Sequence, residues 1–175
     1  MNSPTHPPEL VVGIGASAGG LRALETYFQA MPCDSGCAFV VVQHLSPDFK
    51  SLMDDLLARH TRMQIHRVDD GMLLERDCIY LIPPKKLMTV KGGRLFLTER
   101  EAARQLEFPI NVFLDSLAND CGPQAVAVVL SGTGTDGTQG VRSVHEAGGL
   151  VIVQSLDSAD FNGMPRSAIN TELAD

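Results

Sequence analysis

Three side chains in this sequence could together perform nucleophilic acyl chemistry: Ser17, His44 and Asp136. Ser17 lies in Gly15-Ala16-Ser17-Ala18-Gly19, a G-x-S-x-G pattern. A serine between a strand and a helix sits on a sharp turn with its hydroxyl exposed at the sheet edge, and small neighbours let a carbonyl approach. The start of the following helix offers backbone N–H groups to an oxyanion. His44 has the residue type of a general base. A buried aspartate such as Asp136, in Gly134-Thr135-Asp136-Gly137, would fix the imidazole tautomer and stabilise the imidazolium. Each residue also has a plainer role: Ser17 suits a helix cap, His44 a hydrogen-bonded structural histidine, Asp136 a turn or cap.

A rival chemistry uses the same residues. Gly13-Ile14-Gly15-Ala16-Ser17-Ala18 fits the G-x-G-x-x-A dinucleotide fingerprint. That motif expects an acidic residue about 20 positions on, at the end of the second strand, to hold the ribose. Gln43-His44 stands there instead, which ranks the dinucleotide reading second. The glycine-rich loop 131–137 resembles a phosphate loop but lacks the following Lys-Ser/Thr. Cys33 and Cys37 form a C-x-x-x-C without a second pair at zinc-site spacing, so reduced thiols and no metal are expected. His60, His66 and His145 read as surface or structural residues, and His6 as part of a loose N-terminal arm.

The elements that must position the three residues follow a strand–loop–helix rhythm. Apolar runs at 9–14, 38–43, 78–82, 125–130 and 150–153 read as strands, with a short alternating strand at 64–68. Helical spacing appears at 21–30, 49–59, 109–120 and 138–147. Residues 87–90 and 94–97 flank Lys91-Gly92-Gly93 and read as a β-hairpin. Residues 99–107 read as a loop or solvated helical turn. Strands that are apolar throughout, alternating with helices, indicate a parallel sheet covered on both faces. Right-handed crossovers then bring all strand C-terminal ends to one edge, where ligands bind in open α/β folds. Ser17, His44 and Asp136 each follow a strand end, so the topology places all three on that rim.

Length and charge bound the function classes. A chain of 175 residues predicts one domain, here a flexible arm over 1–8 and a catalytic domain over 9–175. The apolar runs are too short to cross a bilayer, and the N-terminus lacks a signal-peptide pattern. The expected location is therefore cytoplasmic, without membrane insertion. Fourteen basic against 21 acidic residues give −7, which argues against a nucleic-acid partner. Lys85, Lys86, Lys91 and Arg94 read as a solvated hairpin surface.

The motifs carry a family resemblance. The stretches Val12-Gly13-Ile14-Gly15-Ala16-Ser17-Ala18-Gly19-Gly20, Val42-Gln43-His44-Leu45-Ser46-Pro47, Leu130-Ser131-Gly132-Thr133-Gly134-Thr135-Asp136-Gly137 and Gly163-Met164-Pro165-Arg166-Ser167-Ala168-Ile169 resemble the catalytic domain of the bacterial chemotaxis receptor-glutamate methylesterases, the CheB type. The resemblance spans residues 10–170 with the motifs in order. It implies a doubly wound α/β sheet, mostly parallel, with an added antiparallel hairpin and helices on both faces. It implies Ser17 as nucleophile, His44 as base, Asp136 as its partner, and backbone N–H groups at Ala18 and Thr133 for the oxyanion. The family often has Met where Thr133 stands; Thr keeps the N–H and changes the pocket wall.

The activity so implied is hydrolysis of glutamyl methyl esters, with deamidation of glutamines, on the cytoplasmic helices of chemoreceptors, without cofactor. The wording of the motifs looks like the versions fused ahead of a methyltransferase domain, so a covalently linked methyltransferase is a further expected partner. The usual family member carries an N-terminal receiver domain, which no stretch before the first strand resembles. Activity without phosphorylation is expected on that basis. The competing classes are a dinucleotide-binding Rossmann-like domain and a catalytically idle receptor-docking module.

Overall fold

The computed structural model describes residues 6–43, 52–100 and 108–175. The first strand, β1 (Val11–Ala16), is buried along its whole length. It leads through a tight turn into α1 (Gly20–Ala30), whose Leu24 and Phe28 are buried. The second strand, β2 (Ala38–Gln43), follows, then α2 (Met53–Leu57), β3 (Gln64–Arg67), β4 (Met72–Leu73) and β5 (Cys78–Leu81). A hairpin of β6 (Lys86–Lys91) and β7 (Arg94–Glu99) precedes α3 (Pro109–Cys121) and a short 3-10 turn at Gly122–Gln124. The chain closes with β8 (Ala125–Val129), α4 (Thr138–Glu146), β9 (Leu150–Val153) and α5 (Gly163–Ile169).

Six strands form one sheet in the order β3-β5-β2-β1-β8-β9. Every pairing in it is parallel. Such strands are buried on both faces, which is why they read as uninterrupted apolar runs. Two hydrophobic clusters result. Leu24 and Phe28 of α1 and Leu57 of α2 pack with Ile14, Phe39, Val41 and Val128 on one face. On the other, Phe113 and Leu117 of α3, Val141 and Val144 of α4 and Met164 of α5 pack with Val40, Val42 and Val129. The doubly wound architecture expected from the sequence is present.

The added antiparallel element is larger than a hairpin. Met72 and Leu73 pair with Leu95 and Arg94, so β4, β7 and β6 form a separate three-stranded sheet. It docks on α3: the Val90 N–H donates to Ser116 Oγ at 3.0 Å, and the Gly92 and Gly93 N–H groups donate to the Asp120 carboxylate. Lys86 pairs with Glu99, and Arg94 donates to the Gly71 carbonyl. Where the N-terminal arm is described, it is tied down: the Arg76 N–H donates to the His6 carbonyl, and its guanidinium to that of Pro7.

The strand order reverses at β1. The chain runs from β1 outward through β2 to β5 and β3, then returns to place β8 on the other side of β1. In open α/β sheets the crevice at such a switch point, outside the carboxyl ends of the strands, is where ligands bind. Here it lies between the turn after β1 and the loop after β8.

Candidate functional site

The turn after β1 carries Ser17. Its N–H donates to the Ser131 carbonyl at 3.0 Å, and its own carbonyl accepts the Gly20 N–H at 2.8 Å. Helix α1 begins after Gly19, whose φ of 70° is left-handed, and no side chain caps it. Ser17 therefore does not serve as the cap that its residue type would suit. It is half-buried, and the turn presents it at the rim.

Glycines on β1 have a different explanation from the dinucleotide fingerprint. Gly13 and Gly15 lie inside the strand rather than in the turn. A β-carbon on Gly13 would stand 2.8 Å from Leu114 Cδ2, and one on Gly15 would stand 2.6 Å from Ile110 Cγ2. Their lack of side chains lets α3 pack closely on β1, and a pyrophosphate is not needed to account for them.

The loop after β8 carries Ser131, Gly132, Thr133 and Asp136. Asp136 is 6% exposed. Its Oδ2 accepts the Ile110 N–H at 3.1 Å, and its Oδ1 accepts the N–H groups of Asn111 and Gly137 at 3.0 and 2.8 Å. Phe108, the residue at the N-cap of α3, provides no side-chain bond. Asp136 thus caps α3 from across the loop, at the positive end of the helix dipole. The plainer role expected of it as a cap is real. A carboxylate has about four acceptor sites, so a further donor fits beside these three.

Thr133 is exposed, and its backbone is packed against Gly163, where a β-carbon would stand 3.3 Å from Thr133 Cα. Among the described residues, neither the Ala18 N–H nor the Thr133 N–H is used in a hydrogen bond. His44, next after Gln43, lies outside the described residues. Gln43 itself pairs with Ala16 in the β1–β2 register, so the residue before His44 stands beside the residue before Ser17.

Sequence reasoning missed the residues that hold these two loops together. Ser131 is 1% exposed. Its hydroxyl lies 2.8 Å from the Ala18 carbonyl and accepts the Phe161 N–H at 3.0 Å, while its own N–H donates to Gln154 Oε1 at 2.8 Å. The Gly132 N–H donates to the Phe161 carbonyl, and the Met164 N–H to the Gly132 carbonyl. Ser131 and Met164 stand in motif stretches, but Gln154 and Phe161 had no local signal.

The other candidates fall outside the site. His60 lies 3.7 Å from Glu25, and His66 stacks on Tyr80. The four cysteines are free thiols. Among the described residues, no group of three His, Cys, Asp or Glu side chains is arranged to hold a metal, and no helix is long and apolar enough to cross a membrane.

Fold and site together define a doubly wound α/β domain with a serine turn and an aspartate-bearing loop on either side of its switch point. Comparison with known proteins gives the family. Residues 12–175 match the CheB methylesterase family model. The chain is 33% identical to protein-glutamate methylesterase/protein-glutamine glutaminase 1 of Myxococcus xanthus, over 94% of this chain and 49% of that one. It is 51% identical over 70% of its length to an uncharacterised 104.1 kDa protein of Rhodobacter capsulatus, of which the match covers 13%. The crystal structure of the Thermotoga maritima CheB methylesterase catalytic domain superposes with a TM-score of 0.85 at 29% identity, covering 95% of this chain and 90% of that one. The chain belongs to the CheB methylesterase family. It spans about half the length of the curated methylesterases it matches.

Proposed function

We propose that this domain hydrolyses glutamyl methyl esters, and deamidates glutamines, on the helical cytoplasmic part of chemoreceptors, and that it does so in the cytoplasm. Ser17 Oγ attacks the side-chain carbonyl while His44 takes its proton. Asp136 holds the imidazole in the tautomer that can accept it. The Ala18 and Thr133 N–H groups receive the oxyanion. The tetrahedral intermediate collapses, His44 returns the proton to the leaving oxygen or nitrogen, and methanol or ammonia departs. Water, deprotonated by His44, then attacks the acyl-enzyme, releasing glutamate and Ser17. The reaction calls for no metal or cofactor.

The observation that carries this reading is the placement of Ser17. It sits on a tight turn at the switch point, is not used as a helix cap, and is followed by an N–H with no other described partner. His44 is assigned from its place in the chain, directly after the register partner of Ala16. Family membership supplies the substrate class, since the Myxococcus xanthus relative is named for both activities. A linked methyltransferase domain rests on the wording of the motifs alone; the Rhodobacter capsulatus relative shows a similar stretch as a small part of a long protein.

Labelling with a fluorophosphonate, followed by peptide mapping, tests the assignment. Modification at Ser17 is expected, abolished in Ser17→Ala. Receptor binding without labelling would instead identify a catalytically idle docking module.

A further inference from the structure

We infer that Ser131 is a positioning residue that aims the Ala18 N–H at the oxyanion. This deepens the proposed esterase reading and rests on it. The Ser17–Ala18 peptide is trans, so its N–H points opposite to its carbonyl. The Ser17 carbonyl is taken by the Gly20 N–H at 2.8 Å, which turns the Ala18 N–H away from the helix. The next carbonyl, that of Ala18, is 2.8 Å from Ser131 Oγ. Both carbonyls flanking the donor are therefore anchored, one by the turn and one by Ser131.

Chemistry and burial make Ser131 the restraint that matters. A hydroxyl has one proton and two lone pairs. The Phe161 N–H occupies a lone pair at 3.0 Å, and the proton goes to the Ala18 carbonyl in preference to the Phe161 carbonyl at 3.3 Å. The Ser131 backbone is fixed at both ends as well, by Gln154 and by the Ser17 N–H. Gly19 follows Ala18, has a left-handed φ of 70°, and would place a β-carbon 2.8 Å from Ser131 Oγ. A glycine there admits the hydroxyl but leaves the Ala18–Gly19 peptide soft without it. Removing the hydroxyl strands a carbonyl and an N–H and lets that peptide rotate.

The test is steady-state methanol release from methylated receptor by wild type, Ser131→Ala, Ser131→Thr, Val90→Ala and Ser17→Ala. Misplacement of a catalytic group by about 1 Å costs on the order of 100-fold. Ser131→Ala is expected to lower kcat by roughly 10- to 100-fold with KM unchanged within about two-fold, because only the transition state uses the oxyanion donor. Ser131→Thr, which keeps the hydroxyl, restores kcat. Val90→Ala, which opens a small cavity in the three-stranded sheet away from both loops, lowers the melting temperature and leaves kcat near wild type. A Ser131→Ala enzyme with wild-type kcat overturns the inference, as does a Val90→Ala enzyme with the same kcat loss. If Ser131→Ala fails to fold, Ser131→Cys carries the test: its weakly donating thiol should lower kcat at unchanged KM, and wild-type kcat overturns the inference. A fully active Ser17→Ala would show instead that the esterase reading itself is wrong.

Discussion

Gly132 closes directly on Ser17: a β-carbon at residue 132 would stand 2.9 Å from Ser17 Cβ. The same β-carbon would overlap Met164 Sδ. A thioether on a flexible stem can move aside, whereas Ser17 Cβ is held by a turn bonded at both its N–H and its carbonyl. The loop after β8 can approach the Ser17 turn this closely only because this position has no side chain.

Gly132→Ala should therefore displace Ser17 or the loop. Overpacking of this kind costs about 1–3 kcal/mol. Thermal unfolding should show that loss, and methanol release should fall by roughly ten-fold or more. Unchanged turnover in a destabilised Gly132→Ala protein would show that the contact serves packing alone.

Asp136 caps α3, and the proposed mechanism gives it a second role; one substitution should expose both. An amide in place of the carboxylate turns an NH2 toward one of the N–H groups of Ile110, Asn111 and Gly137. Stranding a buried group of this kind costs about 1–3 kcal/mol. The wrong histidine tautomer costs about 10⁴ in kcat in serine proteases. Asp136→Asn should show both losses, read by denaturant unfolding and by turnover. Loss of stability with turnover intact would leave Asp136 as a helix cap and nothing more.

How much of this was legible in the sequence depends on the range of the interactions. The parallel strands and long helices were readable because burial on two faces, or on one helical stripe, writes a local pattern. Gly13, inside the expected strand, and Gly15, just past its end, fitted a dinucleotide fingerprint because their reason, the approach of Ile110 and Leu114, lies about a hundred positions along the chain. β4 is two residues long and has no period to detect; it exists because Leu95 and Arg94 are there to pair with. The motif stretch at Gly163–Ile169 was visible, but its helix was not assigned, since its packing against the loop after β8 is tertiary. Ser17 and Asp136 stand out in the sequence by residue type and strand-end position. Ser131 was not, because its hydroxyl acts through Ala18 and Phe161, partners set by the fold.

Alkali should weaken the fold through a residue remote from the site. Burial first, and then the Asp120 carboxylate, pushes the Cys121 thiol up to about 11 from an ordinary value of 9.0. In the unfolded chain the thiol ionises at the lower value, so between pH 9 and 11 the unfolded state has lost a proton that the folded state keeps. Stability then falls as pH rises through that window. Cys121→Ala should flatten part of the slope in melting temperature against pH. An unaltered slope would show that Cys121 does not carry it.

The proposed mechanism turns on Ser17, and methanol release from methylated receptor by Ser17→Ala tests it most directly. Alanine fits the same turn, so the fold should be kept, as a circular dichroism spectrum and an unchanged melting temperature would show. Loss of a triad nucleophile costs about 10⁶ in kcat in a serine protease. Turnover by Ser17→Ala should accordingly drop below roughly a thousandth of wild type, into the range left by binding and oxyanion donors alone. A folded Ser17→Ala protein that retains a tenth or more of wild-type turnover would contradict the mechanism.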